Sequence, residues 1–172
     1  GLGGIGVLIA IVTSGYRMKR FISFINPWKY ATDEGYQLVH SLYAIGTGGL
    51  FGVGLGNSKQ KALYMPEPHN DFIFAIICEE FGIIFAIGLM IIYFLLFYRG
   101  IRAAFVTKDS YSQLIAVGFS TMIACQTLVI IGGIFSVIPL TGITLPIISY
   151  GGSSVLTIFF ALGIFQKISE EA

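Results

Sequence analysis

Charge is scarce in this chain. Of its 172 residues only 11% are Asp, Glu, Lys or Arg, against about a quarter in soluble domains, and that excludes an ordinary soluble fold. The net charge of +1 argues neither for nor against nucleic acid, and none is expected among the partners. Cysteine is nearly absent too. Cys78 and Cys125 both lie in apolar runs without ligand-type spacing, so both are expected as small buried residues rather than a disulfide or metal pair. There is no initiating methionine, no basic leader and no small-residue cleavage site. The chain opens inside an apolar stretch, and the expectation is a portion of a longer polytopic protein. No long internal repeat is visible.

What the chain has is apolar length: 55% of residues are hydrophobic and the mean hydropathy is +0.84. Since about 20 residues cross a bilayer, four stretches are expected to span, at about residues 1–16, 71–98, 113–137 and 151–166. The first and last are short. The connection 99–112 carries Arg99, Arg102 and Lys108 against a single acid, Asp109, so the positive-inside rule makes it cytoplasmic. Alternation then puts the polar stretch 17–70 outside. That stretch holds six basic residues, which calls for an anionic partner at the outer face. Within it, Leu38–Ile45 reads as helical, and 46–56 contains six glycines in eleven residues. A phosphate cradle would need a strand before and a helix after; lacking those, the glycines imply tight turns and close backbone packing. The expected fold is an all-α polytopic membrane protein of about four transmembrane helices, with one large extracytoplasmic loop containing short helices.

The stretch 64–80, Tyr-Met-Pro-Glu-Pro-His-Asn-Asp-Phe-Ile-Phe-Ala-Ile-Ile-Cys-Glu-Glu, concentrates the chemistry. Pro66 and Pro68 hold the approach extended, so helix begins after them, and Asn70 or Asp71 can cap it. At 100° per residue Asp71, Ala75, Cys78 and Gly82 share a small-residue face. Glu79 lies near enough to that face to line the same cavity, while Glu80, roughly opposite, is expected to pair with another helix. Asp71 is either a simple cap or a carboxylate tuned as a general base. His69 beside it is a weak metal signal, and Glu67 is either a second site carboxylate or a solvated charge. His40 reads as structural. Of the basic residues Arg17, Lys19, Arg20, Lys29, Lys59 and Lys61, some can hold a phosphate or diphosphate and others lipid headgroups; Arg20 and Lys61 are favoured for the first. Ser149–Ser154, with Ser153 in it, is either a helix start facing an anion or a tight helix contact.

Several runs together resemble one family. They are Arg20-Phe-Ile-Ser-Phe-Ile-Asn-Pro-Trp, Gly35-Tyr-Gln, Ser41-Leu-Tyr-Ala-Ile-Gly, Gly52-Val-Gly-Leu-Gly-Asn-Ser-Lys-Gln-Lys, Pro66-Glu-Pro-His-Asn-Asp-Phe-Ile-Phe, Glu79-Glu80, and Pro139 to Ser154. They look like the SEDS (shape, elongation, division and sporulation) proteins, the FtsW and SpoVE branch more than RodA, over their C-terminal portion. Asn70 stands where many members have threonine. The resemblance implies a peptidoglycan glycosyltransferase that polymerises lipid II at the outer face of the bacterial plasma membrane, and the family's essential aspartate falls on Asp71. It implies an inverting transfer: Asp71 takes the proton of an acceptor 4-hydroxyl, and undecaprenyl diphosphate leaves. Arg17, Arg20 or Lys61 are then expected at the diphosphate, with a divalent cation, Mg or Mn, as a further candidate. Glu67, His69, Glu79 and Ser153 are expected around the substrate. The partners implied are lipid II, polyprenyl-diphosphate-linked glycan, membrane lipid and a class B penicillin-binding protein, a transpeptidase. Two rival readings are a lipid II flippase and a scaffold that recruits the transpeptidase.

Overall fold

The computed structural model describes residues 24–32, 35–64, 71–139 and 141–171. All regular structure among them is helical. A 3₁₀ turn at Pro27–Tyr30 precedes α1 (Tyr36–Gly48) and the one-turn α2 (Lys59–Leu63). Three long helices follow: α3 (Ile73–Val106), α4 (Ser110–Ile134) and α5 (Gly152–Glu171). Each of these three is long and apolar enough to cross a membrane. The expected span 1–16 lies outside the described residues.

The boundaries differ from the sequence reading for identifiable reasons. Helix α3 runs on through Arg99 and Arg102, because neither residue breaks a helix and long basic side chains reach water from a helix end. The link to α4 is only Thr107–Asp109, and Asp109 caps α4 by accepting from the Ser112 N–H (2.9 Å) and hydroxyl (2.8 Å). At the other end α3 is 34 residues long, about 51 Å at 1.5 Å per residue, well beyond a hydrocarbon core of about 30 Å. It is broken at Gly82, whose φ of 84° and ψ of 171° are not helical. The small-residue face expected to run from Asp71 through Gly82 therefore stops one turn early.

The break explains the glycine run. In an unbroken helix Ile83 and Ile84 would donate to the carbonyls of Glu79 and Glu80. Here Ile83 N–H donates to Gly49 O (3.0 Å) and Ile84 N–H to Leu50 O (3.4 Å), while Glu79 O accepts from Val53 N–H (2.9 Å) and Glu80 O from Gly54 N–H (3.0 Å). The loop after α1 thus pairs all four groups. Such backbone-to-backbone approach leaves no room for side chains: a Cβ on Gly48 would strike the Cys78 carbonyl, one on Gly52 the Glu80 carbonyl, and one on Gly82 the Leu50 carbonyl.

The core forms where α1, α3 and α4 meet, from Ala44, Phe72, Phe74, Ala75, Ile76, Cys78, Ala86, Ile123, Ile130 and Ile134. Nearer the other end Gly100 lies against Ser120, and Ala104 and Ala116 pack on Ile168 of α5. Small residues let helices approach where no hydrophobic force separates them from lipid. Cys78 is buried as expected, but Cys125 is exposed; it sits on the outer side of α4, away from the line Ile123, Thr127, Ile130 that faces the core.

Candidate functional site

The charge-free segment after α4 builds one wall of the site. Helix α4 ends in a Schellman turn: Val137 N–H donates to Gly132 O (2.8 Å) and Ser136 N–H to Gly133 O (3.1 Å), with Ser136 at φ 57°. The chain then folds back into the bundle. Gln126 Nε2 donates to Thr144 O (2.8 Å), and the Tyr93 hydroxyl donates to Pro146 O. Gln126 lies eight residues before the end of α4, about 12 Å down its axis. Non-helical backbone at such depth is tolerated only inside protein or beside a cavity. Both conditions hold here. Leu145, Pro146 and Ser149 are buried, and the Ser149 hydroxyl accepts from Leu145 N–H (2.9 Å). Ile147, a β-branched residue at φ 70°, is the centre of a turn in which Ile148 N–H reaches Pro146 O (2.8 Å). Such a conformation is strained, and strain of this kind collects at functional sites.

An open cavity of about 360 Å³ lies between this segment and the start of α3, lined by Ile73, Ile148, Ser149, Tyr150, Gly151, Gly152 and Val155. Asp71 stands two residues before Ile73 and is half-buried. The helix cap itself is Phe72, with no side-chain capping bond of its own; Asn70 lies outside the described residues. On the opposite side α5 begins at Gly152, where the first N–H groups of a helix have no intrahelical acceptor. Ser153 sits exposed in that first turn, and its carbonyl accepts from the Thr157 hydroxyl (2.8 Å).

The two glutamates serve a different contact. Glu79, 2% exposed, accepts from the Ser58 hydroxyl and from Lys59 N–H (3.2 Å). Ser58 also caps α2 by accepting from Lys61 N–H (3.0 Å). Glu79, expected at the substrate, instead has both carboxylate oxygens engaged at the foot of α2. Glu80 does pair with another helix, its Oε1 3.8 Å from Lys61 Nζ. His40 is structural as expected: its Nδ1 is 2.7 Å from Gln60 Oε1, and its ring stacks on Tyr64 with centroids 4.9 Å apart. These contacts fasten α2 to α1 and α3. They also separate the expected site residues, since Glu80 lies seven residues beyond Ile73, about 10 Å further along α3. Lys61 pairs with Glu80 and is not among the residues that line the cavity.

Arg17, Arg20, Glu67 and His69 lie outside the described residues. Among the described residues no three His, Cys, Asp or Glu side chains converge. Sequence reasoning missed Tyr93 and Gln126, which tether the re-entrant segment. The available signal was a polar side chain inside an otherwise apolar span.

A family model described as "Cell cycle protein", covering FtsW, RodA and SpoVE, matches residues 1–172. The chain belongs to the FtsW/RodA/SpoVE family. Stage V sporulation protein E of Bacillus subtilis (strain 168) is 46% identical over 170 residues, covering 98% of this chain and 46% of that protein. A probable peptidoglycan glycosyltransferase FtsW of Dichelobacter nodosus is 45% identical over 177 residues, covering 98% and 45% respectively. The chain thus spans just under half the length of these curated relatives. Among solved structures, a chain of a peptidoglycan synthase complex that coordinates polymerisation and crosslinking superposes with a TM-score of 0.73 at 26% identity, covering 99% of this chain and 48% of that one. A variant of the rod shape determining protein RodA of Thermus thermophilus gives 0.59 at 32% identity, covering 76% and 39%. Membership of this family and the three apolar helices make the protein a multi-pass membrane protein.

Proposed function

We propose that this chain is the C-terminal part of a membrane peptidoglycan glycosyltransferase and carries the base of its reaction. The observation that carries the reading is the position of Asp71, at the start of α3 and two residues from the wall of an open cavity whose other wall is a charge-free, re-entrant segment. A carboxylate beside such a wall is suited to take a proton from a neutral hydroxyl.

The reaction is an inverting transfer at the extracytoplasmic face. Asp71 accepts the proton of the acceptor's 4-hydroxyl on N-acetylglucosamine. The oxygen forms a bond to the anomeric carbon of the donor's N-acetylmuramic acid, and the bond from that carbon to phosphate oxygen breaks, its electron pair leaving on undecaprenyl diphosphate. The N–H groups at the start of α5, beside Ser153, present partial positive charge toward the cavity, and Arg17 and Arg20 are the cationic candidates for the leaving diphosphate. The polyprenyl tails of both substrates account for a sugar transfer carried out among membrane helices. A class B penicillin-binding protein is the proposed transpeptidase partner.

The test is polymerisation of purified lipid II by the full-length protein with its partner. Asp71→Asn is expected to abolish glycan strands while membrane insertion and partner binding persist. Polymer made by the variant at the wild-type rate would remove Asp71 from the mechanism. Lipid II movement across vesicles without any polymer from the wild type would favour the flippase reading.

A further inference from the structure

Tyr150 is left unused by the proposed chemistry at Asp71. It is the one aromatic among the described residues that line the cavity, and it is 82% exposed. A lone exposed aromatic needs no explanation on an ordinary surface, but here the backbone on both sides of it is held. Before it, Ser149 is buried; its N–H donates to Leu145 O (3.1 Å) and its hydroxyl accepts from Leu145 N–H (2.9 Å). After it, Gly151 O accepts from Val155 N–H (2.9 Å) as α5 begins, and the Thr144 hydroxyl donates to the Ser154 hydroxyl (3.4 Å). The ring thus stands on fixed backbone with most of its surface open. A contact surface held in advance loses little freedom when a ligand meets it.

The wall that carries this ring has no formal charge. No Asp, Glu, Lys or Arg occurs from Ser110 to Gln166, so an ionised group brought against it would lose water without gaining a charged partner. Ile73, two residues after Asp71, lines the same cavity, so the ring and the proposed base open on one space. Its volume of about 360 Å³ falls within the roughly 300–1,000 Å³ of small-molecule sites, which are lined by apolar and aromatic groups with few polar ones. The partner such a ring suits is neutral and flat-faced. The C–H bonds on one face of a pyranose carry partial positive charge and lie against the negative face of an aromatic. Of the two sugars joined in the reaction, the donor's N-acetylmuramic acid carries a peptide with ionised groups and the diphosphate. The acceptor's terminal N-acetylglucosamine is neutral with small substituents, and its 4-hydroxyl is the group that must reach Asp71.

Resting on the proposed reaction, we infer that Tyr150 is a substrate-binding residue, the platform on which the acceptor's terminal N-acetylglucosamine stacks with its 4-hydroxyl toward Asp71. The ring face makes the contact, and the phenol oxygen is not required for it.

The test uses the full-length protein with its partner in nanodiscs and two substrates that each play one part. Galactose-capped lipid II, which has no free acceptor hydroxyl, serves as donor alone. A methylene-phosphonate analogue of lipid II, with carbon in place of the anomeric oxygen, serves as acceptor alone. Tyr150→Ala is expected to raise KM for the acceptor about tenfold, the worth of one aromatic contact. Its kcat and donor KM stay unchanged, the pattern of a contact made equally in ground and transition states. Tyr150→Phe and Tyr150→Trp, which keep a ring face, are expected to retain most of the affinity, and Tyr150→Leu to behave like alanine. Binding of the phosphonate analogue without donor weakens by the same factor in Tyr150→Ala. An unchanged acceptor KM in Tyr150→Ala, a shift confined to the donor, or a leucine variant as good as wild type overturns the assignment. A lowered thermal midpoint in Tyr150→Ala with both KM values intact makes the ring a packing contact of the full-length protein, and overturns it too. The base and the platform fail separately. An active Asp71→Asn alongside weakened analogue binding in Tyr150→Ala would sink the base and keep the platform, whereas an inactive Asp71→Asn with unweakened binding in Tyr150→Ala would do the reverse.

Discussion

Replacing Gly82 by alanine tests the joint on which the outer half of the molecule depends. Two costs add. An L-residue at φ 84°, ψ 171°, a conformation essentially confined to glycine, is disfavoured by about 1–3 kcal/mol. The new Cβ would also meet the Leu50 carbonyl and the Gly52 N–H, pushing the loop off α3 and weakening the four bonds that join residues 49, 50, 53 and 54 to residues 79, 80, 83 and 84. If α3 straightens instead, its own groups pair again but the loop's four partners are orphaned. With each bond worth about 1 kcal/mol, the total loss is about 3–5 kcal/mol, a fall of about 5 °C in thermal midpoint for a full-length protein about twice as long as this chain. The assay is thermal unfolding of the detergent-solubilised full-length protein, paired with limited proteolysis across 49–61. Gly88→Ala is the control: it lies inside helical backbone where an added Cβ meets nothing within 4 Å, and it is expected to be neutral or stabilising by up to about 1 kcal/mol. A Gly82→Ala protein that melts with the wild type and keeps the loop equally protected would refute the account of the break.

Two smaller predictions concern the ends of α4. Ser136 occupies the left-handed position of the Schellman turn that usually takes glycine; Ser136→Gly is expected to raise stability by up to about 1 kcal/mol, read as a higher midpoint in the same melt. At the other end the Ser112 N–H and hydroxyl hold the Asp109 carboxyl below its ordinary value of 3.8. A depressed folded pKa means the cap's contribution is fully present above the ordinary carboxylate value and is lost as the pH falls through it toward the folded one. The melt of Asp109→Asn should therefore lie below the wild type at neutral pH and converge with it in strong acid; a gap independent of pH would contradict the capping role.

Much of this protein could be read from composition and spacing. Scarce charge and long apolar runs require helices in a bilayer, because only internally bonded backbone is stable in lipid. The glycine run between 46 and 56 announced close backbone contact, since glycine alone permits it. Prolines 66 and 68 predicted a helix start after them, and Asp71 stood out as the charge at its threshold. All of these are local properties, carried by each residue's own sterics or solvation. What the chain meets across space was decided only by the tertiary structure. Helical spacing carried the small-residue face through Gly82, but the backbone breaks there because a loop thirty residues earlier in sequence supplies the replacement hydrogen bonds. Periodicity allowed Glu79 to face a cavity; the fold puts the end of α2 against it instead. The uncharged segment after α4 turns back among the helices because Tyr93 and Gln126, distant in sequence, supply donors for its carbonyls. Partners so far apart along the chain leave no periodic trace, and it is their meeting that sets Asp71 beside a cavity and Lys61 against Glu80.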